Sequence, residues 1–365
     1  MTKIKDIIAV LENIAPRGYQ ESYDNAGLIT GTYETKVSGV LITLDCIESI
    51  VEEAIERGCN LIVAHHPIVF KGLKQLNGKN YVERTIIKAI KHDIAIYAIH
   101  TNLDNVFNGV NAKIAELIGL KNTKILSPKR DTLLKLEVMV PTNSTDTLLT
   151  ALHAAGAGNI GLYSDCSFRV AGTGSFKPLE GTNPTIGTTN QHELVEEDKI
   201  ELIFPSVLEG KIISTLKKAH PYEEVAYYVQ SLKNVNTEIG SGMIGELPSQ
   251  LTQQEFLSHL KANMNLNTIR YTENQSNSIR TVAVCGGAGS FLLGNAKAQG
   301  ADAFVTADFK YHEFFDSEGK IMIADIGHYE SEVFTKELID GFIREKFANI
   351  ATYLSEVDTN PVKYF

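Results

Sequence analysis

Apolar residues along the first third of the chain recur in two alternating rhythms. Ile4, Ile7, Ile8 and Leu11 stand at helical spacing and predict an amphipathic helix over 3–14. Val37 to Leu44 is β-rich, a helical stretch 47–57 ends near Gly58, and Leu61-Ile62-Val63-Ala64 is a short, fully apolar run. Tyr81 to Lys91 reads as a helix, Ile94-Ala95-Ile96-Tyr97-Ala98-Ile99 as a second apolar strand, and Val110 to Ile118 as a helix stopped by Gly119. Strands that are apolar on both faces and separated by helices belong to a sheet covered on both sides. The expected fold class is therefore α/β.

The last third repeats this style. Strands are expected at 281–285, 303–305 and 321–324, helices at 290–299, 309–316 and 329–347, and a last strand at 350–354. The middle differs. Strand 133–140, helix 145–155, strand 167–173, a polar loop over roughly 177–197, strand 199–204, helix 206–219 and strand 224–230 follow one another. That order, β-α-β-β-α-β, is the signature of a ferredoxin-like unit. Turn-rich segments flank it. The expected organisation is a split α/β domain, residues 1–127 and 237–365, interrupted by an inserted domain at 128–236. Three serial domains are the other parse.

Composition narrows the function classes. A chain of 365 residues, 43% hydrophobic and 21% charged, is globular and long enough for about two domains. The net charge of −10 lacks the basic field of a nucleic-acid binder, so none is expected as a partner. No apolar run approaches the ~18 residues of a membrane span, and the N-terminus lacks a secretory pattern. The four cysteines, Cys46, Cys59, Cys166 and Cys285, form no C-x-x-C pair, which argues against a disulfide framework and a thiolate zinc site. A cytoplasmic location is expected.

Candidate chemistry gathers where apolar strands end. His65-His66-Pro67 follows strand 61–64, and His100-Thr101-Asn102-Leu103-Asp104 follows strand 94–99. Thr306-Ala307-Asp308-Phe309-Lys310-Tyr311-His312 follows strand 303–305, and Asp325-Ile326-Gly327-His328-Tyr329-Glu330-Ser331-Glu332 follows strand 321–324. In an open α/β sheet, sites form at the carboxyl edge, so these segments can converge there. Histidine nitrogens and carboxylate oxygens without thiolates suit zinc, iron or manganese. Adjacent His65 and His66 point in different directions, which favours two ions over one. His328 and Glu332 share a helical face at i and i+4, so Glu332 can bridge. Gly327 lets the backbone come close to the metals. The plainer reading of His-His-Pro is a strand-terminating turn, and of His328/Glu332 a surface pair.

Together these motifs resemble the dinuclear-metal family known as GTP cyclohydrolase I type 2-like, also called NGG-interacting-factor-3-like. Tyr23-Asp24-Asn25-Ala26-Gly27-Leu28, Val284-Cys285-Gly286-Gly287-Ala288-Gly289-Ser290, Thr306-Ala307-Asp308 and His220-Pro221-Tyr222-Glu223-Glu224 add to the resemblance, which spans the whole chain. It implies two divalent metal ions per subunit, with His66 and Asp104 on one, His65 and His328 on the other, and Glu332 bridging. It also implies a ring-shaped homohexamer and a PII/CutA-like insert. The chain departs from the family in having Tyr23 where Trp is frequent, and Tyr311 where a second His is common beside His312.

The expected activity is hydrolysis of a small-molecule substrate. His100 and His312 are the candidate general acid/base groups, with orientation of metal ligands as the equal alternative. The resemblance implies GTP, attacked at C8 with formate release. The residues themselves carry no G-x-x-x-x-G-K-[ST] loop. Gly286-Gly287-Ala288-Gly289 reads either as a phosphate cradle or as close packing, and Lys310 as a phosphate contact or a solvated side chain. Hydrolysis of a phosphoester or cyclic amide, and a non-enzymatic metal-binding scaffold or chaperone, stay open. His220-Pro221-Tyr222-Glu223-Glu224 reads as a strand-entry turn and is also compatible with a second small-molecule or ion site.

Overall fold

The computed structural model describes residues 2–365. It divides into two compact units, one from the residues up to Pro128 together with Thr237–Phe365, the other from Lys129–Asn236.

The first unit begins with α1 (Ile4–Ile14), which buries Ile4, Ile7, Ile8 and Leu11. The Asp6 carboxylate accepts the Lys3 N–H at 2.8 Å and closes its first turn. Next come β1 (Gly27–Thr30), β2 (Val40–Thr43), α2 (Glu48–Glu56), β3 (Leu61–Ala64), α3 (Tyr81–Lys91) and β4 (Ala95–Ala98). The short α4 (Thr101–Asp104), then α5 (Val110–Leu117) and β5 (Lys121–Pro128), complete this half. β2, β3 and β4 run parallel and are buried at every position. Helical crossovers cover both faces of such strands, which is why they are continuous apolar runs. Each fully buried Leu61, Ile62 or Val63 contributes roughly 1.5–3 kcal/mol before chain entropy is set against it.

The second unit runs β6 (Leu133–Pro141), α6 (Thr145–Ala155), β7 (Phe168–Phe176), β8 (Glu193–Pro205), α7 (Glu209–Ala219) and β9 (Tyr227–Ser231). The four strands form an antiparallel sheet ordered β7-β8-β6-β9. Leu148, Leu152, Ile212 and Leu216 of the helices pack with Leu136, Val138, Ile200 and Leu202 of the sheet. The polar loop expected to reach 197 is shorter, because β8 already pairs at Glu193 with Phe176. That stretch of ribbon is largely exposed, so no apolar alternation marks it as strand.

The first unit resumes with β10 (Gly240–Leu251), α8 (Gln253–Met264), β11 (Arg270–Tyr271), β12 (Ile279–Ala288), α9 (Leu293–Ala298) and β13 (Ala303–Ala307). β14 (Met322–Asp325), α10 (His328–Glu332), α11 (Thr335–Lys346) and β15 (Thr352–Leu354) end it. The helix expected over 329–347 is thus two helices, and 311–317 is a 3-10 segment. The sequence pattern predicts nothing over 240–264. There, close neighbours demand glycine within β10: a Cβ on Gly245 would lie 2.8 Å from the Lys121 carbonyl oxygen. One sheet is ordered β1-β4-β3-β2-β15 and the other β11-β14-β13-β12-β10-β5. Each has a parallel trio inside it, β4-β3-β2 and β14-β13-β12. No helix among the described residues is long and apolar enough to cross a membrane.

Candidate metal centre

His65 and His66 leave β3 while still on its ladder: their N–H groups donate to the Thr43 and Leu44 carbonyls at 3.1 and 2.9 Å. His65 is wholly buried. Its Nδ1 lies 2.8 Å from the Ile99 carbonyl, which can only accept, so Nδ1 carries the proton and Nε2 a lone pair. That Nε2 is buried without a hydrogen-bond partner, and so is Asp104 Oδ1, 3.5 Å away. Burial pushes the His65 pKa down to about 3, so the ring is neutral at physiological pH. A neutral imidazole lone pair and a carboxylate oxygen, both sealed from water and facing each other, are what a divalent cation requires.

Glu332 completes the group. Its Oε2 lies 3.0 Å from His66 Nε2 and 3.1 Å from His328 Nε2, while its Oε1 is 3.9 Å from His65 Nε2. Ligand atoms of His65, His66 and Glu332 all fall within 4.8 Å of one another, a set able to hold a metal ion. His65 Nε2 thus faces Asp104 Oδ1, while His66 and His328 meet at Glu332 Oε2.

Two further carboxylates fix the rings. Asp45 Oδ1 takes His66 Nδ1 at 2.8 Å, and Asp308 Oδ2 takes His328 Nδ1 at 2.7 Å. Such partners orient a ligand and raise its basicity. Burial disfavours charge on His66, but Asp45 and Glu332 outweigh it and raise the pKa to about 9. His328 rises to about 11 because Asp308 and Glu332 likewise outweigh burial. Burial, then the neighbouring Glu332, pushes Asp104 well up. Burial acts upward on Glu332 too, but hydrogen bonds from His328 and His66 hold it well below the carboxylate range.

Glycine makes the room. Gly287 sits at φ +62°, and a Cβ there would stand 2.6 Å from Glu332 Oε1. Gly327, at φ +91°, is crowded by Glu330 Oε2 rather than by the cluster. Nor do the glycines present a free phosphate cradle: Gly286 N–H donates to Asn111 Oδ1 at 3.0 Å and Gly287 N–H to Ser331 Oγ at 2.9 Å.

A cavity of about 660 Å³ opens onto the cluster, lined by His66, His100, Asp104, His328 and Glu332 among others. His100 is held through Nδ1 by Asp24 Oδ1 at 2.8 Å, and its ring centroid is 5.4 Å from those of His65 and His66. Burial would raise Asp24, but the bonds to His100 and Thr101 bring it down to about 2. Asp24 therefore stays ionised and leaves His100 Nε2 as the available atom. Cys285 also lines the cavity. Burial, with Asp104 and Glu332 nearby, pushes its thiol far up, so it stays protonated.

The structure thus brings His65, His66, His100, Asp104, His328 and Glu332 together. It does not bring His312, which is exposed on the 3-10 segment beside Tyr311 and Phe315, outside the cavity wall. Lys310 is likewise exposed and absent from the wall. The orienting role of Asp45 escaped the sequence reading. Its position directly after a buried strand is the same signal that marks His65 and His66.

Comparison with known proteins agrees across the chain. The Duf34/NIF3 (NGG1p interacting factor 3) family matches residues 2–361. The GTP cyclohydrolase 1 type 2 homolog of Bacillus subtilis is 38% identical, covering 99% of this chain and 98% of that protein. The homolog of the same name from Halalkalibacterium halodurans is 40% identical, covering 98% of each. The crystal structure of a Bacillus cereus protein related to NIF3 superposes with a TM-score of 0.87 at 38% identity, over 100% of this chain and 99% of that one. The chain belongs to the Duf34/NIF3 family.

Proposed function

We propose that the buried cluster is a dinuclear divalent-metal centre and that the protein is a hydrolase acting on a small molecule in the cavity above it. The observation that carries this reading is the pair of partnerless buried atoms, His65 Nε2 and Asp104 Oδ1, with Glu332 reaching His65 and two further imidazoles. His65, His66, Asp104 and His328 would hold two ions and Glu332 would lie between them. Zinc, iron and manganese all suit the donors. Bound there, such a pair supplies an activated water and polarises the electrophile.

The protein's own part is positional and protonic. Asp45 and Asp308 keep Nε2 of His66 and His328 inward. Asp24 holds the proton on His100 Nδ1, which leaves Nε2 to accept a proton from water and return it to the leaving group. The relatives' names make GTP the first substrate to test: water adds at C8, the imidazole ring opens, and a second water releases formate. One observation favours a second reading, hydrolysis of a less charged cyclic amide: no Lys or Arg is among the described residues lining the cavity.

The same reading takes residues 128–236 as an inserted ferredoxin-like domain, supported by the strand order β7-β8-β6-β9, and the assembly as a ring-shaped homohexamer. Light scattering in solution tests the assembly. The activity test follows formate release from GTP by protein stripped of metal and reloaded with zinc, manganese or iron, with Glu332→Gln as control. Metal-dependent release abolished by the variant is the expected result. No release from folded, loaded protein overturns the GTP assignment and leaves the cyclic amide as the substrate to test.

A further inference from the structure

The second unit holds a cavity of its own, about 270 Å³, that the proposed hydrolase chemistry does not use. Tyr222, Glu223 and Glu224, which follow His220-Pro221, form one wall. His220 is buried; its Nε2–H donates to the Met139 carbonyl at 2.9 Å, and its Nδ1 accepts the Tyr222 N–H at 3.1 Å. This locks the turn. The other wall is the loop after β7, clipped to the same turn by Asn183 N–H on Glu223 Oε1 (3.0 Å) and Thr185 Oγ–H on the Pro221 carbonyl (2.7 Å). Phe176, Pro178, Pro184 and Ile186 give the cavity an apolar body.

Three acids line it, Glu197, Glu223 and Glu224, and of these Glu197 alone is buried. Glu197 is only 8% exposed and lines the cavity, and no Lys or Arg among the described residues forms an ion pair with it. Beside it, Tyr222 Oη is buried and meets no partner in hydrogen-bond geometry, although the Glu197 carboxylate is near enough to help burial raise the Tyr222 pKa. Room for the carboxylate is built in: a Cβ on Gly174 would fall 2.0 Å from Glu197 Oε2. A largely buried carboxylate with no cation beside it lacks the charge partner that such groups otherwise have.

We infer that this cavity binds a small organic cation, a primary ammonium on a short apolar body. The ammonium would sit between Glu197 and Tyr222 Oη, and the body against Phe176 and Ile186. The Phe176 and Tyr222 rings, 5.9 Å apart and edge to face, add aromatic walls that favour a cation. The volume is below the ~300 Å³ at which drug-sized pockets begin, which limits the occupant to a small molecule. A metal ion is disfavoured: no group of metal-ligating atoms converges here among the described residues.

The test is calorimetric titration of the full-length protein at pH 7 with isopentylamine and with its neutral counterpart, isopentyl alcohol. The amine binds saturably, one per chain, and the alcohol at least about tenfold more weakly, as loss of a charge-assisted hydrogen bond requires. Glu197→Gln, of the same shape, brings the amine down to the level of the alcohol, while Tyr222→Phe weakens it severalfold. The Gln variant also separates this site from any amine bound at the metal centre. Equal affinity for amine and alcohol, no saturable amine binding, or unchanged binding in folded Glu197→Gln would each overturn the inference. The amine–alcohol comparison on the unaltered protein stands even if a variant fails to fold.

Discussion

The parallel trio β2-β3-β4 releases Asp45, the pair His65–His66 and His100 directly from its strand ends. The matching trio β12-β13-β14 carries Gly286 and Gly287 near the end of β12 and releases Asp308 and then a short helix that carries His328 and Glu332 one turn apart. The first half supplies His65, His66 and Asp104, the two histidines fixed by sheet hydrogen bonds; the second supplies His328, Glu332 and the space beside Gly287 that Glu332 occupies. Neither half holds a cluster alone: the contact between His66 and Glu332 spans 266 positions of sequence. The end of the chain ties the halves again, as β15 pairs with β2 and Ser355 and Glu356 bond to Glu53.

The sharpest break between the halves concerns two histidines that follow strands of the two trios, His100 after β4 and His312 after β13. His100 lines the cavity and His312 does not. His100→Ala is expected to lower turnover of whatever substrate is established by ~10²–10⁴-fold, the usual worth of a positioned acid/base group, and His312→Ala to leave it near that of the parent. Steady-state kinetics with metal occupancy held equal checks both. Next in size are the orienting carboxylates. Asp45→Asn in one half and Asp308→Asn in the other should each weaken metal binding by ~10–100-fold. Competition against a chromogenic chelator reads this, and a loss confined to one half would show that only that half needs its rings oriented.

How much of this was legible beforehand follows from what each feature depends on. The buried strands and the histidines after them are local patterns, so apolar runs such as Leu61–Ala64 mark them in the sequence. Asp45 stands in the same kind of place, yet a lone Asp after a strand is ordinary, and only the 2.8 Å contact with His66 distinguishes it. Gly287 is visible as a glycine but not as the floor under Glu332, because that depends on a helix more than forty residues away. His312 sits in a motif at a strand end, and the 3-10 turn then carries it outward. The first residues of β8, Glu193 to Glu196, present no fully buried side chain, so the apolar pattern begins the strand only at 199.

Two smaller effects sharpen the comparison further. Gly287→Ala forces a side chain into a left-handed backbone and against Glu332; about 1–3 kcal/mol of stability should be lost, read as a lower Tm in metal-free protein. Glu53 joins the halves through Ser355 Oγ–H, Glu356 N–H and Arg57, whose hydrogen bonds outweigh burial and hold its pKa below the usual value. A lowered carboxylate pKa stabilises the fold above the unfolded value of about 4.3, and that contribution fades as pH falls through the folded value. Glu53→Gln should therefore be less stable than the parent at pH 7, with the gap narrowing on acidification below about pH 4. Thermal unfolding across pH gives the answer, and a constant gap would deny Glu53 this role.

The central claim is that the two halves close one dinuclear centre on Glu332. Elemental analysis of folded protein, reloaded with zinc and freed of loose metal, tests it most directly alongside Glu332→Gln. The account predicts about two ions per chain in the parent, the number a two-metal site holds, and loss of tight binding in the variant. Folded parent protein that retains no zinc, or a variant that retains as much as the parent, would contradict it.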